Sequence, residues 1–246
     1  MSVKKLCLNL LTTTLIIPLF LSSCSQWQPL LDREPANTET GDVADAEQVI
    51  ALPEPILQGS MSLEETLLNR RSVRQFEDTP LTEAQIGQLL WSAQGITTPA
   101  GLRTAPSAGA RYPLEIYAAT PEGLFHYLPQ SHSMVRLLDH DPRPDLYQAA
   151  IQQSAVRDAP LVIVISAVFQ RTAERYGEAR TPQYVFLEAG HAAQNIHLQA
   201  VALDLGSVPI GAFHEDQISA ALSLPADEVP VYLIPVGYQK MGNSEW

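Results

Sequence analysis

Residues 184–205 read as one long helix that is apolar on nearly every side. Phe186 and Leu187, Ala193 and Ile196, and Ala200 and Val201 fall all around a helical wheel, with little charge between them. Such a helix has to be covered all round, because apolar surface kept in water forgoes roughly 25 cal/mol per Å2. Two runs rich in Val and Ile flank it, 161–168 and 229–236, and both read as central strands covered on both faces. The helix is therefore a core element. Two covers are open: it is the central helix of a monomer, or a second copy of the chain covers part of it. In a domain of this size the second reading is preferred.

The remaining elements follow from local chemistry. Ser62-Leu63-Glu64-Glu65 and Thr82-Glu83-Ala84-Gln85 are capping boxes, which open a short helix to Asn69 and a longer one through Ile86, Leu89, Leu90 and Ala93. Segments 114–119 and 124–128 are strands joined across Thr120-Pro121-Glu122-Gly123, a hairpin that makes the sheet at least partly antiparallel. Helices around a mixed sheet give an α+β domain over 61–246.

What precedes that domain reads as an address and a tether. Lys4 and Lys5 lead an apolar stretch, 6–20, too short to span a bilayer comfortably, so 1–23 is a signal peptide. Leu21-Ser22-Ser23-Cys24 resembles the lipobox of bacterial lipoproteins, with lipid expected on Cys24; the alternative is an ordinary secretory peptide containing a cysteine. Ser25, not Asp, follows, which in a Gram-negative host favours the outer membrane. Cys7 leaves with the signal and Cys24 is taken by lipid, so no disulfide, thiolate nucleophile or Cys-based metal site remains. Residues 24–60 are acidic and proline-bearing and read as a solvated linker, within which Val49-Ile50-Ala51-Leu52 is the one run able to dock. Loss of the two signal lysines takes the net charge from −12 to −14, a surface that repels nucleic acid and anionic lipid.

Against that charge, three arginines fall within Arg70-Arg71-Ser72-Val73-Arg74, in a chain of 27 acidic and 15 basic residues. The cluster is either a solvated basic turn or the seat of an anion, and guanidiniums beside a hydroxyl suit phosphate. Three more segments tip the balance: 106–113 (Pro-Ser-Ala-Gly-Ala-Arg-Tyr-Pro), 207–213 (Ser-Val-Pro-Ile-Gly-Ala-Phe) and 235–237 (Pro-Val-Gly). With these segments in this order, residues 62–238 resemble the nitroreductase family, and more closely its azoline-dehydrogenase branch. The resemblance rests on 70–74, on 107–117, on Leu187-Glu188-Ala189-Gly190-His191-Ala192-Ala193-Gln194-Asn195 and on 207–211. It implies a homodimer that binds flavin mononucleotide (FMN) through Arg70, Arg71, Ser72 and Arg74 at the phosphate. Ser107 and Gly109 would lie along the ring or ribityl chain, Arg111 would support the phosphate, and Pro209, Ile210 and Gly211 would lie in the loop whose N–H faces flavin N5.

The chain departs from the family at three places. Ala110 stands where many nitroreductases have Asn, and only Lys240 follows the last strand where a basic pair is common, so phosphate binding leans on 70–74 with Arg111 in support. Arg175-Tyr176 occupies the place of a Lys-Tyr pair, and an Arg is a poor base. Tyr176 and Arg175 are the candidate catalytic pair, with Tyr176 equally able to be a packing residue. His191 is read as satisfying a core hydrogen bond, and no metal site is expected. The function implied is an FMN-dependent oxidoreductase acting on a small molecule or peptide, with a ligand-binding lipoprotein or an NAD(P)H-fed nitro or quinone reductase as alternatives. A flavin outside the cell meets little nicotinamide cofactor, and no Gly-x-Gly-x-x-Gly offers a dinucleotide site. Substrate oxidation is therefore the expected direction.

Overall fold

The computed structural model describes residues 49–240. The signal peptide, Cys24 and the first part of the linker lie outside the described residues. Seven strands form one sheet in the order β1-β4-β3-β2-β5-β7-β6: Val49–Ala51, Ser133–Leu138, Gly123–Leu128, Leu114–Thr120, Leu161–Val168, Glu228–Gly237 and Gly206–Ser207. Every strand pair is antiparallel. The expected mixed sheet survives only as an isolated parallel bridge, Ser72 to Ser207.

Both capping boxes close as expected, at Ser62 with Glu65 for α1 (Leu63–Asn69) and at Thr82 with Gln85 for α2 (Glu83–Gln94). The β2–β3 hairpin turns at Thr120 and Gly123; a Cβ on Gly123 would lie 2.2 Å from the Leu138 carbonyl oxygen, so only glycine fits. All of β5 is buried. Its Leu161, Ile163 and Ile165 pack on one side with Leu89 and Leu90 of α2 and with Ile196 of the long helix α6, Thr181–Ala202. Val162 and Val164 pack on the other with Leu146 of α3 (Arg143–Ala149), Val156 of α4 (Ser154–Asp158) and Ile218 of α7 (Glu215–Leu222). The domain is thus three layers, helices on both faces of the sheet.

Two expectations change. The solvated linker ends early: Val49–Ala51 pairs with β4, Leu52 is 8% exposed, and Gln88 of α2 exchanges two hydrogen bonds with Ile56, at 2.7 and 3.1 Å. The apolar run 49–52 outweighs the acidic composition around it because it has a strand edge to join. The long helix, in turn, is not covered all round by its own chain. Val185, Ala189, Ala192, Ala193 and Ile196 are buried, but Phe186 and Leu187 are 56% and 53% exposed. The helix also starts three residues earlier than its apolar pattern, since Pro182 is tolerated in a first turn. Among the described residues no helix is long and apolar enough to cross a membrane.

Candidate flavin site

The arginine cluster is placed by its pairing with β6. Ser72 bridges Ser207, and the Val73 N–H donates to the Ser207 carbonyl at 3.0 Å. That approach needs Gly206: a Cβ there would sit 2.6 Å from Val73 Cβ. After β7 the chain returns to the same place, because Glu77 N–H bonds Tyr238 O at 2.9 Å and Lys240 N–H bonds Gln75 O at 3.0 Å. The result is a cavity of about 580 Å3 lined by Arg71, Ser72, Arg74, Asp204 and Lys240. Lys240 is the only lysine among the described residues, and it stands beside the cluster. Three cations and a hydroxyl against one carboxylate suit a phosphate.

Arg70 is arranged differently. Its backbone N–H still closes α1 on Thr66, and its guanidinium donates to Nε2 of His197 at 2.9 Å. Of the four residues expected at the phosphate, Arg71, Ser72 and Arg74 line the cavity, while Arg70 turns to α6. An arginine can only donate, so His197 Nε2 accepts and its Nδ1–H donates to Ser207 Oγ, at 2.5 Å. Burial, then the Arg70 charge, push the His197 imidazole down to about 4. It is neutral at any pH well above that value.

The loop 207–211 is fastened to β7 by two hydrogen bonds between Ile210 and Leu233, 2.7 and 3.0 Å. Pro209 is half-buried and Ile210 buried, while Gly211 beyond them is exposed, with nothing within 4 Å of where a Cβ would stand. Its backbone is open to a flat ring at van der Waals distance.

The 107–112 segment makes a tight turn around a single 3-10 turn, Ala108–Ala110. Gly109, Ala110 and Tyr112 have φ of 60°, 52° and 45°, a left-handed region in which two of the three carry side chains. A Cβ on Gly109 would lie 2.8 Å from Arg175 Cδ and 2.9 Å from Tyr176 Oη. The candidate catalytic pair, at the end of α5 (Phe169–Tyr176), therefore rests directly on Gly109, with the Tyr176 ring 4.6 Å from the Tyr184 ring of α6 and tilted 45° to it. Arg111 turns away from any phosphate role: it ion-pairs with Glu174 and donates to the Arg171 carbonyl at 2.7 Å.

One helix carries both ends of the site. Glu188 of α6 neighbours Ser107, Asn195 donates to Thr104 O at 3.3 Å, and His197 holds Arg70 and Ser207. Sequence reasoning passed over Glu188 and His197 as functional residues, and His191, read as satisfying a core hydrogen bond, is exposed instead. A signal was available: a titratable group that burial leaves inside an apolar helix must have a partner.

The fold is that of an oxidoreductase family whose members typically use flavin. The model of the Nitroreductase family matches residues 67–238, and the chain belongs to that family. It is 42% identical over 183 residues to the nitroreductase-family protein MJ1384 of Methanocaldococcus jannaschii, covering 72% of this chain and 91% of that one. It is 26% identical over 187 residues to an FMN reductase (NADPH) of Bacillus subtilis, across 71% of this chain and 64% of the other. Among solved structures, a nitroreductase of Ralstonia eutropha JMP134 superposes with a TM-score of 0.73 at 33% identity, covering 81% and 93% of the two chains.

Proposed function

We propose that the protein is an FMN-dependent oxidoreductase, held to the cell envelope by lipid on Cys24, that oxidises a small molecule or a heterocycle-containing peptide. The observation that carries this reading is the cationic cavity of Arg71, Ser72, Arg74 and Lys240, set beside a loop that ends in the open Gly211. When bound, FMN would supply hydride chemistry in two half-reactions. Arg71, Arg74 and Lys240 would neutralise its phosphate, and the Gly211 N–H would offer a hydrogen bond at the ring. At the other end Tyr176 Oη is the group able to hold or move a substrate proton, while Arg175 keeps its charge and serves as an anchor for an anionic substrate group. The exposed Phe186 and Leu187 of α6, with Leu63, Leu67 and Leu68 of α1, support a homodimer that covers this face.

The likeness to an FMN reductase (NADPH) favours a second reading, reduction driven by a nicotinamide. Anaerobic mixing of FMN-loaded protein with NADPH or NADH separates the two. Flavin absorbance should persist; rapid bleaching returns the protein to the NAD(P)H-fed class. Protein that stays colourless with excess FMN ends the enzyme reading altogether. Light scattering should give twice the chain mass. Expression with the signal should give a fatty-acyl label that Cys24→Ala abolishes.

A further inference from the structure

Beneath the 107–112 turn lies a partly buried charge cluster that the flavin reading leaves without a task. Glu115 of β2 ion-pairs with Arg171 of α5 at 2.6 Å and accepts from His126 of β3 at 2.8 Å. Arg103 donates to Gln94 Oε1 of α2 at 2.9 Å and lies 4.5 Å over the Tyr112 ring. Glu188 of α6 is 3% exposed and has no ion pair of its own. Ser107, Arg103 and Gln94 favour its charged form, yet Glu188 Oε1 and Gln94 Nε2 are both buried without a hydrogen-bond partner among the described residues.

The turn above is demanding. Ala110 and Tyr112 are non-glycine residues at positive φ, a conformation that persists only where surroundings over-determine it. Two contacts do so: Ser107 Oγ accepts the Tyr112 N–H at 2.8 Å, and Arg171 donates to the Tyr112 carbonyl at 3.2 Å. With its oxygen so used, the Ser107 hydroxyl keeps its hydrogen for an acceptor, and the Glu188 carboxylate neighbours it. A protonated Glu188 keeps a carbonyl oxygen able to accept that hydrogen, but without the charge that strengthens the bond.

We propose that Glu188 is a positioning residue whose carboxylate orients Ser107, locks the 107–112 turn, and so holds the Gly109 wall under Arg175 and Tyr176 in its flavin-binding shape. The inference rests on the flavin reading above. Burial raises the Glu188 carboxyl to about 7, so the form the turn needs is present above neutrality and lost below it. Burial lowers Arg103 but leaves it a cation, and against its own burial Glu115 is held below the usual carboxylate range by the His126 hydrogen bond and by Arg171.

The test uses the full chain and Glu188→Gln, which keeps the shape and an acceptor but cannot ionise. FMN affinity is read from quenching of flavin fluorescence between about pH 6 and 8.5. Since the FMN phosphate titrates near ~6 in both proteins, the ratio of the two affinities is compared. Wild type should bind about five- to tenfold more tightly than the variant at the alkaline end, the loss expected when a charge-assisted hydrogen bond becomes neutral, and the ratio should close toward one at the acid end. Melting of the FMN-free proteins is the second arm. The variant should melt a few degrees higher than wild type at alkaline pH, because a buried charge has been removed. Weaker binding with higher melting supports positioning, whereas a merely structural Glu188 would lower both. A ratio that does not change with pH, or a variant that melts lower at alkaline pH, overturns the proposal. Wild type that binds no FMN at any pH overturns the flavin reading itself, and the proposal with it.

Discussion

Glu188 and His197 stand on one helix, nine positions and about 14 Å apart along its axis, and each is 3% exposed. Equal burial has opposite consequences at the two ends. Desolvation disfavours both charged forms, lowering the histidine to about 4 and raising the glutamate to about 7. His197 has a donor on one nitrogen and an acceptor on the other, so its neutral form is satisfied and no ordinary pH disturbs it. Glu188 keeps one oxygen without a partner and titrates near neutrality. What separates a structural end of the site from an adjustable one is the completeness of the partners, since the depth is the same.

The sharpest break in that comparison should come from His197→Ala. It leaves the Arg70 guanidinium and the Ser207 hydroxyl facing each other with nothing between them, and about 3 kcal/mol of stability should be lost in urea unfolding. A loss under about 1 kcal/mol would mean that Arg70 finds another acceptor. Next in size is Arg74→Ala on the cavity. It should raise the FMN dissociation constant about tenfold to a hundredfold, the loss of a charge-assisted contact worth ~1.5–3 kcal/mol, whereas Arg157→Ala, paired to its exposed neighbour Asp158, should leave it unchanged. Equal effects from the two would place the phosphate elsewhere.

The pH dependence of stability gives a finer measure. His197 is depressed on folding, so its contribution is full above its ordinary value of 6.5 and lost as pH falls toward about 4. Glu188 is raised on folding, so its contribution is full below its ordinary 4.5 and lost as pH rises through about 7. Between these limits the two slopes oppose each other and nearly cancel. Glu188→Gln removes one of them: its stability should climb with pH from about 4.5 to 6.5, by up to ~1.4 kcal/mol per unit relative to wild type, while wild type stays flatter. Denaturant midpoints across that range decide it, and parallel curves would show that Glu188 does not titrate there. The smallest effect is expected at the exposed face of the same helix. Leu187→Asp should shift the proposed dimer toward monomer in light scattering at low concentration and change the monomer's own melting by within about 0.5 kcal/mol.

Much of this molecule was legible as a string. Ser62 with Glu65 and Thr82 with Gln85 form their caps from neighbours three residues away, and Gly123 must turn because no side chain fits there; such features are local, and the sequence is local information. The period of the apolar residues likewise determined β5, β7 and α6, and the order of four short motifs determined the family. The tertiary structure decided what lies across from what. Lys240 reaches the arginine cluster only because β7 returns beside residues 75–77, and Arg70 meets His197 across 127 positions of chain. The 49–58 segment, the end of the expected linker, becomes part of the domain because a free strand edge and Gln88 receive it. Glu188 reads as one more residue of a helical motif until packing removes its water and leaves it one hydroxyl, one amide and one guanidinium. A side chain's identity is written in the chain, but its charge state depends on the solvent and partners that folding leaves it.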